Sequence, residues 1–391
     1  MALNTISSDR LSTNVKNTNF TAAEKQDLTD DILPLAGQLG NRNLIINGAM
    51  NVAQRGTSST ANTYGSVDRI RISSGGTDEA PTHSQADVAA ATTPYTSGFR
   101  KAFKITNGNQ TGGAGADDSI TFVYTVEDQD LATSGWNHKS SSSNITISFW
   151  VKSSVSQNFY FTIQSDNSSQ YRYVMETGSL TADTWTKITK TIPGNTNLVF
   201  NNDNGIGVYI IWNLFNGTNR TGTRPLNAWA ALDNTSRTPD MTSTWYTTND
   251  ATFEITGIQL EVGSVATDFE HRSFGDELQR CKRYYEVLVS GSGKTWGGAA
   301  VMYLANQTHH QCTFVEKRAT PTLDYVSGTN YYRYYSNDSN AHSSTLDQFL
   351  YVTPRSAGII ANTLSSNLVA GGAAFSYTTN ASAFVAISAE L

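Results

Sequence analysis

The chain of 391 residues has two cysteines, and only 15% of its residues are charged. Each shortage excludes something. Cys281 and Cys312 cannot staple a chain of this length, so a disulfide scaffold is excluded and two reduced, buried thiols are expected. Lys and Arg number 27 against 33 Asp and Glu, a net charge of −6. That balance lacks the clustered cations of a nucleic-acid surface, so no nucleic-acid partner is expected. No apolar run approaches the roughly 20 residues of a membrane helix, so no membrane insertion is expected. The first residues, MALNTISSDRLSTN, lack a basic stretch followed by an apolar one, and no secretory signal is expected. P-loop, dinucleotide-glycine, HExxH, paired CxxC and GxSxG patterns are all missing, so no enzymatic activity and no cofactor are expected.

What is present is uncharged polarity. A typical domain is about 25% charged; here Ser, Thr, Asn and Gly take over. Such surfaces suit exposed β-sheets, and partners such as glycans that offer hydroxyls rather than charge. Residues 1–40 stand apart. Thr21-Ala-Ala-Glu24 has the form of a capping box. Leu28, Ile32, Leu35 and Leu39 follow at spacings of four, three and four, one stripe of a helix. Pro34 lies inside the pattern and would kink or end it. The stripe either docks on its own chain or serves attachment or oligomerisation.

From Asn43 to about Phe269 the period becomes two. Ile145, Ile147, Phe149 and Val151 alternate with Thr146, Ser148, Trp150 and Lys152, the mark of a half-buried strand. Turns rich in Gly, Asn and Ser separate many such runs, which predicts an antiparallel, jelly-roll-like sandwich. No helix with a periodic face is expected there. In ATFEITGIQLEVGS the apolar phase slips at Thr256-Gly257, which predicts a β-bulge with Phe253, Ile255, Ile258, Leu260 and Val262 all on the core side. SFGDELQRCKRYYEVL then reads as one connecting helix within 271–290. Ser273 caps it, acids open it, and Phe274, Leu278, Cys281 and Tyr285 form its stripe. Residues 291–391 read as a small β-domain. The expected fold is mainly β: N-terminal segment 1–40, sandwich 41–270, connecting helix 271–290, C-terminal β-domain 291–391.

Few side chains suggest chemistry. His310 and Cys312 would share a strand face while His309 points away, too little for a metal site. A structural Ca²⁺ among turn Asp and Asn residues stays open, with no ligands assigned. The best glycan-contact candidate is SGTNYYRYYSNDSNAHSS. In a strand Tyr331, Arg333 and Tyr335 face one way, and Tyr332 and Tyr334 the other, so one set can pack while the other is displayed. The alternative is an ordinary strand with tyrosines on the core and a subunit interface. Trp136, Trp229 and Trp245 lie in turn-rich segments and are weaker candidates; Trp150 and Trp185 read as sheet-packing residues.

Several motifs carry a resemblance. They are NLIINGAMNVAQRGTS, Tyr64-Gly-Ser-Val-Asp68-Arg69, GIQLEVGSVATDFEHRSFGDELQRCKRYYE with its Cys281-to-Tyr285 ending, FVEKRATPT and the final AEL. Together they resemble the framework of carbohydrate-binding-module-like domains in tail-fibre proteins of tailed bacteriophages. His271 and Lys317 depart from it. The resemblance implies a virion structural protein, a homotrimer assembled in the infected host's cytoplasm. Residues 1–40 would join it to other virion proteins, and the β-domains would meet a host-surface glycan or protein receptor. A capsid-attached head fibre or decoration protein is the alternative. A polysaccharide depolymerase is disfavoured, because no β-helix repeat is visible. The motif residues themselves fit structural roles: Asn47-Gly48 a tight turn, Asp68-Arg69 a local ion pair, and Cys281, Tyr284 and Tyr285 packing where the helix meets the two β-regions.

Overall fold

Period-two runs become strands because one side of each finds a core. In Asn144–Ser153 the side chains of Ile145, Ile147, Phe149 and Val151 are all fully buried. The computed structural model describes residues 41–391 except 168–169, 297, 337–338, 363 and 365–367. Leu28, Ile32, Leu35 and Leu39, the expected attachment stripe, lie outside the described residues. Residues 44–391 form one unit, mostly antiparallel β-structure.

Two six-stranded sheets make the sandwich. The first runs in the order Ser58–Ser59, Thr82–Asp87, Lys101–Thr106, Thr252–Val262, Asn144–Ser153, Thr186–Pro193. The second runs Trp229–Ala231, Tyr171–Ser179, Asn158–Ser165, Ile206–Asn216, Ser119–Glu127, Ile70–Gly75. Aromatic rings fill the space between them. Phe103 of the first sheet meets Phe122 of the second at 5.4 Å, Phe149 meets Phe161 at 5.0 Å, and Phe122 stacks on Trp212 at 4.8 Å. Each such ring contributes roughly 1.5–3 kcal/mol by leaving water.

The bulge in Thr252–Val262 is present. Pairing with Asn144–Ser153 slips between Thr256 and Gln259, and Gly257 takes φ +65°. Phe253, Ile255, Ile258 and Leu260 are buried, and Val262 packs against the same core. A Cβ on Gly257 would also sit 2.6 Å from the Phe99 ring. Gly257→Ala should therefore cost about 1–3 kcal/mol, from backbone strain alone before the ring shifts. Urea unfolding at unchanged m-value measures it; an unmoved midpoint would mean that the strand relaxes freely.

Among the described residues, one-turn helices interrupt the sandwich at Thr93–Thr96, Asp128–Ala132 and Thr244–Thr247, with a 3-10 turn at Thr218–Arg220. At three to five residues they have no periodic face to read. The connecting helix starts where its cap predicts. Ser273 Oγ accepts from Asp276 N, and the helix runs Phe274–Lys282. Its end and stripe differ from expectation. Tyr285 opens a strand, Tyr285–Ser290, because its backbone pairs with Phe384–Ser388. Phe274 is exposed, while Glu277 and Cys281 are buried. Charge partners, not apolarity, turn this helix: Glu277 accepts from the Asn47 amide at 2.5 Å and lies 3.6 Å from Arg272.

The last hundred residues build two more sheets. Phe384–Ser388 lies between Tyr285–Ser290 and Thr322–Tyr325. A seven-stranded sheet runs Ser339–Ser343, Tyr332–Ser336, Ala373–Thr378, Ala300–Leu304, Gln307–Thr313, Ser356–Ala361, Gln348–Leu350. Cys281 and Cys312 are both buried free thiols.

Candidate functional site

The motif residues, scattered through the sequence, meet in one place. Asn47, at φ +62°, uses its side chain as a turn clip: Nδ2 donates to the Val52 and Asp68 carbonyls, and Oδ1 accepts from Val52 N. Asp68 takes two hydrogen bonds from Gln54, at 2.8 Å from its amide and 2.5 Å from its Nε2. Asp68 and Arg69 are not the local pair expected. Arg69 has φ +73°, which turns its side chain away from its neighbour. Its Nη1 donates to Glu390 at 2.7 Å, its Nη2 to the Thr125 carbonyl, and its guanidinium lies 3.3 Å over the Tyr284 ring. Arg55 lies 3.3 Å over Tyr285 and also reaches Glu390, at 3.1 Å.

The same joint continues outward. Arg283 grips Glu127 with two hydrogen bonds, at 2.7 and 2.9 Å. Lys317 Nζ donates to Glu286, and Arg318 donates to the Ala389 and Glu390 carbonyls. Tyr64 Oη donates to the Leu391 carbonyl. Nearly every charge here has an internal partner. The arrangement holds the sandwich to the C-terminal sheets. Among the described residues no group of three or more His, Cys, Asp or Glu could hold a metal.

The tyrosine segment alternates as expected, but its two sets differ in what they can do. Tyr332 and Tyr334 are 0% and 1% exposed, with Trp296 packed edgewise on both. Tyr332 Oη donates to the Val326 carbonyl at 2.7 Å. Burial removes these two from any contact surface. Tyr331 and Arg333 are half-buried, and Tyr335 is 40% exposed. The register sets Tyr335 beside Phe375, 51% exposed, and Arg333 beside Tyr377. Arg333 donates to Tyr377 Oη at 3.1 Å and to His342 Nε2 at 3.2 Å. Further across the sheet, Val301 is paired with Ala373 and His309, and Tyr303 stacks on His309 at 4.6 Å. One face of this sheet is thus an exposed aromatic and apolar surface with hydrogen-bonding groups along it. A hollow of about 370 Å³ by Val301, His309, Gln311 and Tyr351 ends it.

The turn tryptophans are structural. Trp136 and Trp245 are buried, and the Trp229 indole N–H donates to the Pro193 carbonyl. Trp150 and Trp185 pack with Phe99 and Phe269 on the outside of the first sheet, as sheet-packing residues do.

A second surface was not foreseen. A groove of about 260 Å³ crosses the outer side of the second sheet, where Arg71, Gln164, Arg172, Tyr209 and Arg237 come together. Tyr209 is opposite Gln164, and Gln164 opposite Arg172, in three adjacent strands. The available signal was strand phase: Tyr209 and Ile211 alternate with the buried Val208, Ile210 and Trp212, so they point outward.

No protein-family model and no curated protein matches the chain. Solved structures with some likeness include the enzymatically active domain of tailspike protein 4 of bacteriophage CBA120, at 11% identity and TM-score 0.29, covering 56% of this chain and 21% of that one. A family 4 carbohydrate-binding module shares 13% identity at TM-score 0.28, over 56% of this chain and 98% of its own. The carbohydrate-binding module TmCBM61, solved with β-1,4-galactotriose, shares 9% identity at TM-score 0.27, over 57% and 100%. At this distance the likenesses assign neither ligand nor role to this chain.

Proposed function

We propose that the chain is a phage virion structural protein, a homotrimeric tail fibre that attaches by its N-terminal segment and contacts host-surface glycans with its β-domains. The observation that carries the glycan contact is the displayed face around Tyr335 and Phe375. Flat rings exposed beside Arg333, Tyr377 and His342 offer a sugar both stacking and hydrogen bonds. The virion role is supported by the motif set and by its convergence on a single joint. A binding role rather than catalysis is supported by the buried carboxylates Glu127, Glu286 and Glu390, each already held by a cation.

Tyr335→Ala and Phe375→Ala test the reading. Both side chains are exposed, so stability should change by no more than about 0.5 kcal/mol. Adsorption of particles carrying the double variant to host cells should fall about tenfold or more, which corresponds to roughly 1.4 kcal/mol. Unchanged adsorption with an intact oligomer would sink the glycan contact at this face. Loss of the oligomer in sedimentation would make the face a subunit interface instead.

A further inference from the structure

The molecule is strict with its buried cations in the joint. Arg69 faces Glu390, Arg283 faces Glu127, and Lys317 faces Glu286. The groove on the second sheet breaks that habit. Arg172 is 5% exposed. Its Nε and Nη2 both donate to Gln164 Oε1, at 3.1 and 2.5 Å, and its Nη1 donates to the Arg237 carbonyl at 3.2 Å. Both acceptors are neutral. Arg71 and Arg237 line the same groove, and the Nε of each is buried without a hydrogen-bond partner. Arg224 stands close by, its Nε likewise unpartnered.

The acids nearby do not discharge this cluster. Asp166 lines the groove but accepts from Gln170 at 2.8 Å and lies beside Tyr209. Asp233 is exposed, holds the amide and hydroxyl of Thr235, and its charge offsets Arg172 and Arg224 only in part. Burial, and then the charges of Arg237 and Arg224, push the Arg172 guanidinium down to about 9. It is still a cation at neutral pH, and it is short of an anion. A buried charge without a counter-ion is costly, so a sheet that keeps three guanidiniums around one hollow gains by receiving a negative group there.

We propose that this groove binds a saccharide carrying an anionic group, carboxylate or phosphate, with Arg71, Arg172 and Arg237 around the anion and Tyr209, Gln164 and Asn234 toward the sugar. Guanidinium forks match both groups with paired hydrogen bonds. A hollow of about 260 Å³ is smaller than the ~300–1,000 Å³ of drug-sized sites and suits a single sugar unit. The proposal rests on the glycan-contact reading only in taking the carrier of the anion to be a sugar. Its residues are on the second sheet and the loop after Trp229–Ala231, not on the sheet of Tyr335 and Phe375, so the two can fail separately.

Calorimetric titration of the full chain decides it, with four probes: a galacturonate oligosaccharide, a hexose phosphate, a neutral galactose oligosaccharide and inorganic phosphate. One of the two acidic sugars should bind once per chain, at least about tenfold tighter than the neutral one, and weaken as salt is added. Which acidic sugar binds identifies the anion. Arg71→Gln and Arg237→Gln, at half-buried positions, should each reduce that binding about tenfold or more, while Tyr335→Ala should leave it unchanged. Arg172→Met should abolish it; the two glutamine variants keep the test valid should that protein not fold. Equal binding of acidic and neutral sugars, or none of either, overturns the proposal. Inorganic phosphate binding as tightly as the sugars would reduce the groove to an ion site and overturn the saccharide assignment. Binding lost with Tyr335→Ala but kept with Arg71→Gln would overturn the groove and leave the aromatic face standing.

Discussion

Replacing Glu390 with glutamine should lower stability by about 3–5 kcal/mol, the usual cost of leaving one member of a buried ion pair alone. The Arg69 side chain is 1% exposed and the Glu390 side chain 8%. Glutamine keeps the shape and one acceptor oxygen but removes the charge. Arg69 would then keep the Thr125 carbonyl, the faces of Tyr284 and Tyr124 at 3.3 and 5.4 Å, and at most a neutral oxygen that Arg55 also needs. Cation–π contacts of this kind contribute about 0.5–2 kcal/mol, less than the loss. Arg55 would lose its carboxylate as well. The triple variant Arg55→Met, Arg69→Met, Glu390→Leu should recover most of the stability, because both cations are then removed together with the carboxylate they share. Urea midpoints at constant m-value give both numbers. A single variant within about 1 kcal/mol of the parent would show that the rings and the carbonyl satisfy Arg69 by themselves, against the figure for unpaired buried charge.

Asp68 should add stability as pH drops from about 7 toward 5, seen as a difference between the parent and Asp68→Asn. Burial pushes its carboxyl up to about 6 from 3.8, against the hydrogen bonds from Gln54 that favour the ionised form. Its folded value lies above its unfolded value. The folded state therefore gains from protonating Asp68: the gain is complete below about 4 and is lost as pH rises through about 6. A difference of about two units corresponds to roughly 3 kcal/mol. Glu127 works in the opposite direction. Burial raises its carboxyl, but the Arg283 hydrogen bonds and charge outweigh this and hold it below its usual value. Its contribution is present above about 4.5 and is lost as pH falls through the lower folded value. Between pH 7 and 5 the rings of His83, His138, His310 and His342 act against Asp68: burial holds them below their ordinary value, and their contribution is lost as pH falls. Asp68→Asn should therefore lose stability relative to the parent increasingly from pH 7 to pH 5 and leave the acid limb intact. A parent-minus-variant difference that does not change over that interval rules Asp68 out.

What the sequence revealed was local. The slip at Thr256-Gly257 was legible because a bulge changes strand phase within a few residues. The split of Tyr332 and Tyr334 from Tyr335 was legible because strand period is two. The Ser273 cap was legible because its partner is three residues away. The helix end was not, because Tyr285 is drawn into a strand by residues a hundred positions later. Asp68 and Arg69 misled for a related reason: adjacency suggests a pair, but a positive φ sends the two side chains to different partners. The arginine groove is assembled by register across the second sheet, from strands whose order no single segment encodes. Composition also hid it. A net charge of −6 says nothing about where three unpaired cations gather.

The pairing of Arg69 with Glu390 also sets an order of events during synthesis. The two residues are 321 positions apart. At about 5–20 residues per second, Arg69 leaves the ribosome roughly 15 to 65 s before its counter-ion. Most of the sandwich is available for pairing in that interval, but the joint cannot close. A nascent chain therefore waits with one guanidinium unpaired, and a chain stopped before Glu390 never completes the pair. Products truncated before Glu390 remain the ones a protease can open.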